Sequence, residues 1–493
     1  MRLTKRDIKK GYGALKKKAE KSLRKGNFDE AMHYLDVCSN IASQFNFDYA
    51  DFEIESLYKQ IAEKTVKQVA GFEPLSDHWI LYDDFCTTYV LGLQWLEAMA
   101  LSGKQILYVT TRNVNEESRH KNILDRVAEY ENVTVEIIPQ GNTFERAQAL
   151  YDVLVRFKAS KLVMHKRPVI SVMDLVLPIL PKWMVSYVIN LSDQTFWLGA
   201  KYINYCLEFR QFGASVSLQR RGLKREQLLM VPFYPADDRN AFGGFPPECT
   251  DDKIVVFSGG DFYKTLDDKR IYWQLIKKIL DKYPQVVFLF ATKNIPEGDR
   301  DIRKFIKENH FENRFIYISF RPDIYQVFAH CDIYMGTSPT SGSLMSQLAA
   351  INAKPILQYY EPGTPDDETE QAICINDSFG ISFSDEESFM HEADSLITDK
   401  AYRQQQGERL QRAMMQHEQF NKLVLDTLET NKTQMPIHDY VIDYEGLDNR
   451  WFYLEKAGYI NSIPYIYSTL GASDCLKYAS TIFFKKNWNR FIK

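Results

Sequence analysis

The sequence has 493 residues, 45% of them hydrophobic and 14% aromatic, and its formal net charge at pH 7 is -4. This length exceeds one ordinary domain, so we expect two or three domains, each with a core of its own. A charge so close to balance gives no sign of nucleic-acid binding, and the charged first residues lead into no hydrophobic stretch typical of a secretory signal.

The cysteines and the most hydrophobic stretch predict a soluble, cytoplasmic protein. The seven cysteines are scattered without CxxC spacing, which argues against a disulfide framework and against a zinc site. Residues 169–191 are the most hydrophobic, but they include Asp174, Lys182 and two prolines. We therefore expect core elements of an α/β domain there and no membrane span.

Residues 1–75 are predicted to form an all-helical module. Apolar residues recur with the helical period after the turn Gly26-Asn27, and they are Ala31, Tyr34, Leu35, Cys38, Ile41, Ala42 and Phe45. The segment from Gly26 to Ala31 resembles the turn of a tetratricopeptide-like helical hairpin, although one hairpin does not make a solenoid. We expect this module to cap the next domain or to contact another protein.

Strands and helices alternate from residue 76 to residue 245. Short apolar runs predict strands at 79–82, 106–109, 133–138, 161–164, 185–189 and 202–206, with helical stretches between most of them. Such alternation is typical of a Rossmann-like domain with a mostly parallel sheet, and ligands of these sheets lie at the carboxyl ends of the strands.

Polar side chains at those strand ends are candidates for a site. His165 follows the strand at 161–164 and is our candidate for a catalytic base or a polar contact with a substrate. A solvated loop histidine beside Lys166 and Arg167 is the other interpretation. Asp83-Asp84 follows the first strand, and we interpret the pair as acidic residues at a helix N-terminus rather than as metal ligands.

A second α/β series is predicted for residues 246–432. The linker that leads into it, residues 236–252, contains Gly243-Gly244 and Pro246-Pro247. Strands are predicted at 253–257, 286–290, 314–318, 332–335 and 354–358, and residues 385–432 are predicted to be helical. The two series together predict an α/β fold in which two Rossmann-like domains face a cleft.

A loop of small residues precedes a helix in this second series. Ser341-Gly342-Ser343 comes directly before a stretch with apolar residues at helical spacing, namely Leu344, Leu348 and Ile351. The unpaired N–H groups and the positive dipole end of such a helix attract an anion, most simply a phosphate. The alternative is that these three residues only cap the helix and form a turn.

Another loop of the same series adds flexibility and charge. Gly259-Gly260 follows the strand at 253–257 and lets a ligand approach the backbone closely, and Lys264 adds a positive charge a few residues later. Because both loops follow strands of one parallel sheet, we expect them to meet and to hold a diphosphate. The sequence has no Walker A motif and no Gly-x-Gly-x-x-Gly fingerprint after a strand, which argues against an ATPase or a dehydrogenase.

Residues 433–493 are predicted to be a C-terminal tail. It ends in a basic and aromatic stretch, from Thr481 to Lys493. Such a stretch suits an anionic membrane surface, and a terminal helix packed across the two domains is the alternative.

The layout of residues 76–430 resembles that of the GT-B glycosyltransferases. Five residues are similar to the pattern of O-GlcNAc-transferase-like members, namely Asp332, Thr337, Pro339, Gly342 and Pro355, and Phe262-Tyr263-Lys264 resembles their segment with a phosphate-binding lysine. The loops and the resemblance together imply a donor-diphosphate site made of Gly259, Gly260, Lys264, Thr337, Ser341, Gly342 and Ser343. Thr340 and Leu348 stand where many retaining members have glutamates, and Leu344 and Met345 stand where O-GlcNAc transferases have threonines.

The resemblance implies a metal-independent enzyme with no cofactor besides its substrate, a nucleotide sugar linked to UDP or GDP. The expected acceptor is a glycan or a lipid-linked precursor of a cell-surface or capsular polysaccharide, and the expected location is the cytoplasm, at the inner face of the membrane. Transfer to protein side chains is an alternative, favoured by the helical N-terminus. A non-catalytic partner of a true transferase is a second alternative, favoured by the missing glutamates.

Overall fold

The protein is described here from a computed structural model, which covers residues 5–69, 73–87, 91–114, 120–237, 239–267, 269–292, 296–360, 368–373 and 379–447. Three helices come first, and two parallel sheets follow with helices between their strands. Of the described helices, none is both long enough and apolar enough to cross a membrane.

The N-terminal helices are α1 (Lys5–Arg24), α2 (Phe28–Phe45) and α3 (Phe52–Thr65). Asn46 ends α2 in the left-handed conformation, and Asp51 begins α3 by accepting hydrogen bonds from two backbone N–H groups. The apolar faces of these helices share one continuous core with helices of the first sheet, which includes Leu15, Leu35, Ile61, Leu154, Val176 and Ile179. The predicted helical module is thus built into the first half of the protein.

Within the described residues the first sheet has seven strands, all parallel. The strands are β1 (Leu75–Asp83), β2 (Gln105–Thr110), β3 (Val133–Ile137), β4 (Ala159–His165), β5 (Val185–Ile189), β6 (Tyr205–Glu208) and β7 (Leu228–Met230). Its helices are α4 (Gly92–Ala100), α5 (Lys121–Val127), α6 (Thr143–Phe157), α7 (Met173–Val176) and α8 (Gln211–Arg220). The spatial order is β3-β2-β1-β4-β5-β6-β7, which is the doubly wound arrangement with its switch point between β1 and β4.

The second sheet repeats this arrangement with six parallel strands in the part of the chain that the structure describes. They are β8 (Ile254–Gly259), β9 (Val286–Ala291), β10 (Phe315–Ile318), β11 (Ile333–Met335), β12 (Ile356–Tyr359) and β13 (Ser382–Phe383), in the spatial order β10-β9-β8-β11-β12-β13. The helices are α9 (Ile271–Lys282), α10 (Pro296–Asn309), α11 (Ile324–His330), α12 (Ser343–Ile351), α13 (Glu368–Ile373), α14 (Glu386–Thr398), α15 (Lys400–Ala413) and α16 (His417–Thr430). The predicted α/β architecture with two Rossmann-like units is therefore confirmed.

The helix α16 returns to the first half. Phe420 of α16 packs edge-on against Trp95 of α4, with ring centroids 6.1 Å apart. Beyond α16 the chain runs along α8, where the Gln211 side chain donates a hydrogen bond of 2.9 Å to the Pro436 carbonyl. The predicted membrane-contacting end of the tail lies outside the described residues.

The sequence pattern located most strands, with one clear shift. The strand predicted at 202–206 is in fact β6, three residues later. The chain first turns at Gly199, where φ is +111°, and the Tyr202 N–H donates to the Gly199 carbonyl at 3.0 Å. The helical stretch expected between the first two strands is α4, which begins at Gly92, and residues 88–90 before it lie outside the described part. The domain boundaries at residues 75, 245 and 432 stay predictions.

Candidate functional site

A cleft of about 530 Å³ lies between the two halves of the protein. The first half contributes residues 191–195, Phe209, Arg210 and Phe233. The second half contributes the loops that follow β8, β9, β10 and β11, together with the first turns of α12. A volume of this size is typical of small-molecule sites, which lie at the carboxyl ends of parallel strands and between domains.

The loop after β8 brings a lysine to this cleft. Gly260 has a φ of +144°, a conformation that favours glycine, and its N–H donates to the Ala291 carbonyl at 2.9 Å. A 3₁₀ turn over Phe262–Thr265 follows and places Lys264 along the cleft. Gly259 adjoins this loop, where a Cβ atom would lie only 2.8 Å from the Ala291 carbonyl oxygen. Close packing therefore explains the glycine at position 259, and the positive φ explains the glycine at position 260.

The loop after β11 meets that lysine. The Lys264 Nζ lies 3.4 Å from the Ser341 carbonyl oxygen and donates a hydrogen bond to it. The Lys264 carbonyl in turn accepts a hydrogen bond of 3.3 Å from the Thr340 N–H. Thr337 holds the loop from inside, because its hydroxyl donates to the Thr340 carbonyl at 2.7 Å. The two predicted loops thus form one continuous wall of the cleft.

The N-terminus of α12 opens onto the same wall. Gly342 is the N-cap residue, and no side chain caps the helix by a hydrogen bond. The first N–H groups of α12 are therefore not satisfied by a side-chain cap, which disfavours the interpretation of Ser341-Gly342-Ser343 as a mere capping sequence. A Cβ atom at Gly342 would lie 3.8 Å from the Lys264 Nζ, so the ammonium group and the positive end of the helix converge. An anion fits this position.

Two hydroxyl groups of the cleft strengthen this interpretation. Thr292 follows β9 and Thr340 precedes α12, and both residues line the cleft with about 5% of their surface exposed. Neither side-chain hydroxyl has a hydrogen-bond partner within the described part of the chain. Buried polar atoms are normally paired, so these hydroxyls are suited to bond a ligand. Sequence reasoning noted Thr340 only as the position where many retaining glycosyltransferases have a glutamate, and it missed Thr292, since nothing distinguishes a lone threonine after a strand.

Exposed aromatic rings lie along the second half of the cleft. Tyr263 and Phe320 line it with 40% and 46% of their surface exposed. Beside Phe320, the Arg321 guanidinium donates two hydrogen bonds to Asp323, at 2.7 and 2.6 Å, and these bonds lower the pKa of Asp323 to about 2. Exposed rings at a cleft provide a flat surface against which an aromatic base can stack.

His165 does not line this cleft. It ends β4, is fully buried, and its Nδ1 lies 2.9 Å from a carboxylate oxygen of Asp83 at the end of β1. Burial would raise the pKa of Asp83, but His165 and the Tyr108 hydroxyl, at 2.7 Å, outweigh burial and lower it. The neighbouring Asp84 accepts hydrogen bonds from Tyr82, Thr111 and Ser171. Both carboxylates therefore belong to a buried network of hydrogen bonds.

Metal ligands are not grouped in the part of the structure that is described. Its His, Cys, Asp and Glu side chains form no cluster of three or more that is suited to a metal ion. Asp193 and Asp261 line the cleft from opposite halves. The metal-independent chemistry expected from the sequence stays a prediction.

Comparison with known proteins identifies the fold. No protein-family model matches the sequence, and a search of curated proteins finds no match. Solved structures are similar at low identity. Anabaena HepE in complex with UDP and glucose has a TM-score of 0.53 at 13% identity, covering 72% of this chain and 99% of its own.

A mutant of the Thermobaculum terrenum O-GlcNAc transferase has a TM-score of 0.53 at 13% identity and covers 92% of this chain and 85% of its own. A candidate UDP-N-acetylglucosamine 2-epimerase from Listeria monocytogenes has a TM-score of 0.51 at 9% identity, with coverages of 75% and 100%. These similarities confirm the predicted GT-B fold.

Proposed function

We propose that this protein is a glycosyltransferase that takes its sugar from a nucleotide-diphosphate donor. The observation that carries the proposal is the convergence of Lys264 and the N-terminus of α12 at the cleft between two Rossmann-like units. A diphosphate fits there, because its oxygens would accept hydrogen bonds from the N–H groups of the helix and its charge would neutralise the ammonium group. The solved structures with this fold support UDP as the first nucleotide to test, since HepE was solved with UDP and glucose.

The arrangement of the cleft gives the donor a direction. The base would stack near Tyr263 and Phe320, the diphosphate would lie against Lys264 and α12, and the sugar would face the first half. An acceptor hydroxyl would attack the anomeric carbon as the bond to the diphosphate oxygen breaks, and the hydroxyl proton would pass to the departing diphosphate. Lys264 and the helix N–H groups would stabilise the negative charge that develops on the leaving diphosphate. His165 has no role in this reaction, because it lies outside the cleft.

The proposed acceptor is a glycan or a lipid-linked precursor of a cell-surface or capsular polysaccharide. The packing of the N-terminal helices supports a glycan over a protein acceptor, because their apolar faces are used in the core of the first half and do not extend into an array. We further propose that the reaction takes place in the cytoplasm, with the basic end of the chain at the membrane surface.

A non-catalytic partner protein is the contrasting candidate. The missing glutamates favour it, whereas the open N-terminus of α12 and the unpartnered hydroxyls of Thr292 and Thr340 favour a protein that still binds its donor. Turnover separates the two candidates. A true transferase releases UDP from UDP-sugars when a glycan acceptor is present, and a partner protein does not.

The donor site is tested by changing Lys264→Met and measuring UDP binding by calorimetry. The change keeps the aliphatic stem and removes the charge. A charge-assisted hydrogen bond contributes about 1.5–3 kcal/mol, so we expect UDP affinity to fall about 10- to 100-fold. Lys277→Met is the matched control, because Lys277 is an exposed residue of α9 that pairs with Asp281 on its own helix. Equal UDP affinity in the Lys264 variant and the wild type would contradict the proposal.

A further inference from the structure

The loop that follows β5 forms the wall of the cleft opposite the diphosphate site. Ser192, Asp193, Gln194 and Thr195 of this loop line the cleft, and they carry a hydroxyl, a carboxylate, an amide and a second hydroxyl. These groups differ from those of the opposite wall, which supplies an ammonium and a helix N-terminus. The backbone of this loop, residues 191–196, is held from several directions.

One support is a buried arginine. Arg221 follows α8 and has 1% of its surface exposed. Its Nη2 donates hydrogen bonds to the carbonyl oxygens of Ser192, Asp193 and Thr195 at 3.1, 2.6 and 2.7 Å. A single guanidinium group thus fixes the curvature of the loop, because its planar donors allow little freedom to the three carbonyl groups.

A second support comes from the N-terminal helices. Asn46, which ends α2 and is 1% exposed, donates from Nδ2 to the Gln194 carbonyl at 3.0 Å. Its Oδ1 accepts a hydrogen bond of 2.7 Å from the Phe196 N–H. The side-chain amide therefore bonds the loop backbone on both sides of Thr195. Asn46 can do so because asparagine tolerates the left-handed conformation that ends α2, with φ at 41°.

A third support links the loop to the second half of the protein. Arg210 donates to both carboxylate oxygens of Asp193, at 2.6 and 3.0 Å, and to a carboxylate oxygen of Glu368 in α13 at 3.2 Å. The Gln194 side chain also donates to the Glu368 carboxylate. The loop is thus fixed by residues from the N-terminal helices, from the first half and from α13.

We propose that loop 191–196 binds the hydroxyl groups of the donor sugar and that Asn46 is a positioning residue for this loop. The inference rests on the proposed function and adds the sugar subsite to it. The carboxylates of Asp193 and Glu368 share the Arg210 guanidinium, and with Arg221 counted the charges of this wall cancel. The wall therefore lacks the excess positive charge that attracts a phosphate. Sugar hydroxyls both donate and accept hydrogen bonds, and they match a carboxylate, an amide and two hydroxyls held in fixed positions.

The N-terminal helices then have a role in the chemistry. Through Asn46 they hold the backbone on which the sugar-binding side chains stand. A loop that loses this support samples more conformations, and ordering it again on binding costs free energy and weakens the affinity. Loss of the Asn46 support should weaken binding of the sugar. It should leave the diphosphate site unchanged, because that site lies on the opposite wall.

The test compares Asn46→Gly with Asn431→Gly in the full-length protein. Both asparagines end a helix in the left-handed conformation, at φ of 41° and 55°, and glycine keeps that conformation. The Asn431 side chain accepts a hydrogen bond from Lys161 on the first sheet and lies outside the cleft lining. Calorimetry measures the affinities for UDP, UDP-glucose and UDP-N-acetylglucosamine, and thermal unfolding measures stability.

We expect the wild type to distinguish at least one of the two UDP-sugars from UDP. In the Asn46→Gly protein the affinity for that UDP-sugar should fall about tenfold, the equivalent of about 1.4 kcal/mol, while UDP affinity stays within about twofold. Asn431→Gly should change stability and neither affinity. If Asn46→Gly does not fold, Asn46→Asp replaces it, since aspartate tolerates the same backbone but cannot donate to the Gln194 carbonyl.

Three results would overturn the inference. The Asn46 variant and the wild type bind the UDP-sugar equally well, or the variant loses UDP affinity to the same extent, or the wild type binds UDP and both UDP-sugars identically. In the third case the diphosphate site stands and the sugar subsite does not. A wild type that binds neither UDP nor the UDP-sugars would overturn the proposed function as well.

Discussion

Gly342 and Gly260 both line the cleft, but a methyl group would affect them differently. At Gly342 φ is -120°, which any residue adopts, and a Cβ atom would make ordinary contacts of 3.7 Å with Met345. At Gly260 φ is +144°, where an L side chain is strained. We expect Gly342→Ala to keep the melting temperature within about 2 °C of the wild type and to weaken UDP binding several-fold, because the methyl group lies beside the Lys264 ammonium.

Gly260→Ala is the contrasting variant. It should lower the melting temperature by several degrees, because the strained backbone costs about 1–3 kcal/mol. Calorimetry with UDP and thermal unfolding of both variants provide the comparison. If Gly342→Ala binds UDP as tightly as the wild type, the N-terminus of α12 does not contact the diphosphate.

Most residues that the sequence predicts for the diphosphate site lie along one wall of the cleft, and their role in binding stays a prediction. Gly260, Lys264, Ser341, Gly342 and Ser343 all line it, while Gly259 and Thr337 support the loops from behind. These residues share a sequence signal, since small residues and a lysine after apolar runs indicate an anion site. The position of His165 at a strand end was also correct. What no local pattern shows is that Asp83, on the neighbouring strand β1, holds the imidazole in the core.

The short helix α13 joins the two halves through buried charges. Glu368 and Asp193 share the Arg210 guanidinium, and the two carboxylates raise the pKa of that arginine although burial alone would lower it. Arg210→Met would leave two carboxylates buried together, and breaking a buried pair in this way costs about 3–5 kcal/mol. Glu368→Gln leaves one guanidinium with one carboxylate and should be much milder. Thermal unfolding of both variants tests this order, and equal destabilisation would contradict it.

Elements were predictable where their pattern is local. The alternation of buried strands and amphipathic helices indicated both sheets, because most of the strands are short apolar runs bounded by turn residues. The supports of loop 191–196 were not predictable, since Asn46 and Glu368 lie far from it in the chain. Only the tertiary fold brings an asparagine that ends a helix against a loop of the first sheet.

The docking of the N-terminal helices gives the whole molecule a pH dependence. Glu55 of α3 is 2% exposed, accepts a hydrogen bond of 2.8 Å from the Lys201 N–H, and lies near Asp174 and Lys166. Burial is the main cause that raises its pKa from 4.5 to about 7. Between these values the folded state holds more protons at this site than the unfolded state, so this contribution to stability is full below pH 4.5 and is lost as the pH rises through 7.

Glu55→Gln removes this titration and keeps the shape of the side chain. We expect the melting temperature of the variant to rise relative to that of the wild type as the pH increases from 5 to 8. At the upper end the free energies of unfolding should differ by on the order of 3 kcal/mol. Unfolding scans of both proteins across this range measure the difference. A constant difference at every pH would show that Glu55 does not titrate in this interval.

The return of α16 to the first half has a consequence for synthesis. Trp95 and its neighbours on α4 form one core with Phe420, Val424 and Leu428. As the chain leaves the ribosome, the first sheet emerges long before α16 exists, so an apolar face of α4 remains open to water until nearly the whole described chain has been made. We therefore expect chaperones to bind the nascent protein. A chain that ends before residue 417 would aggregate and would not form an independent first half.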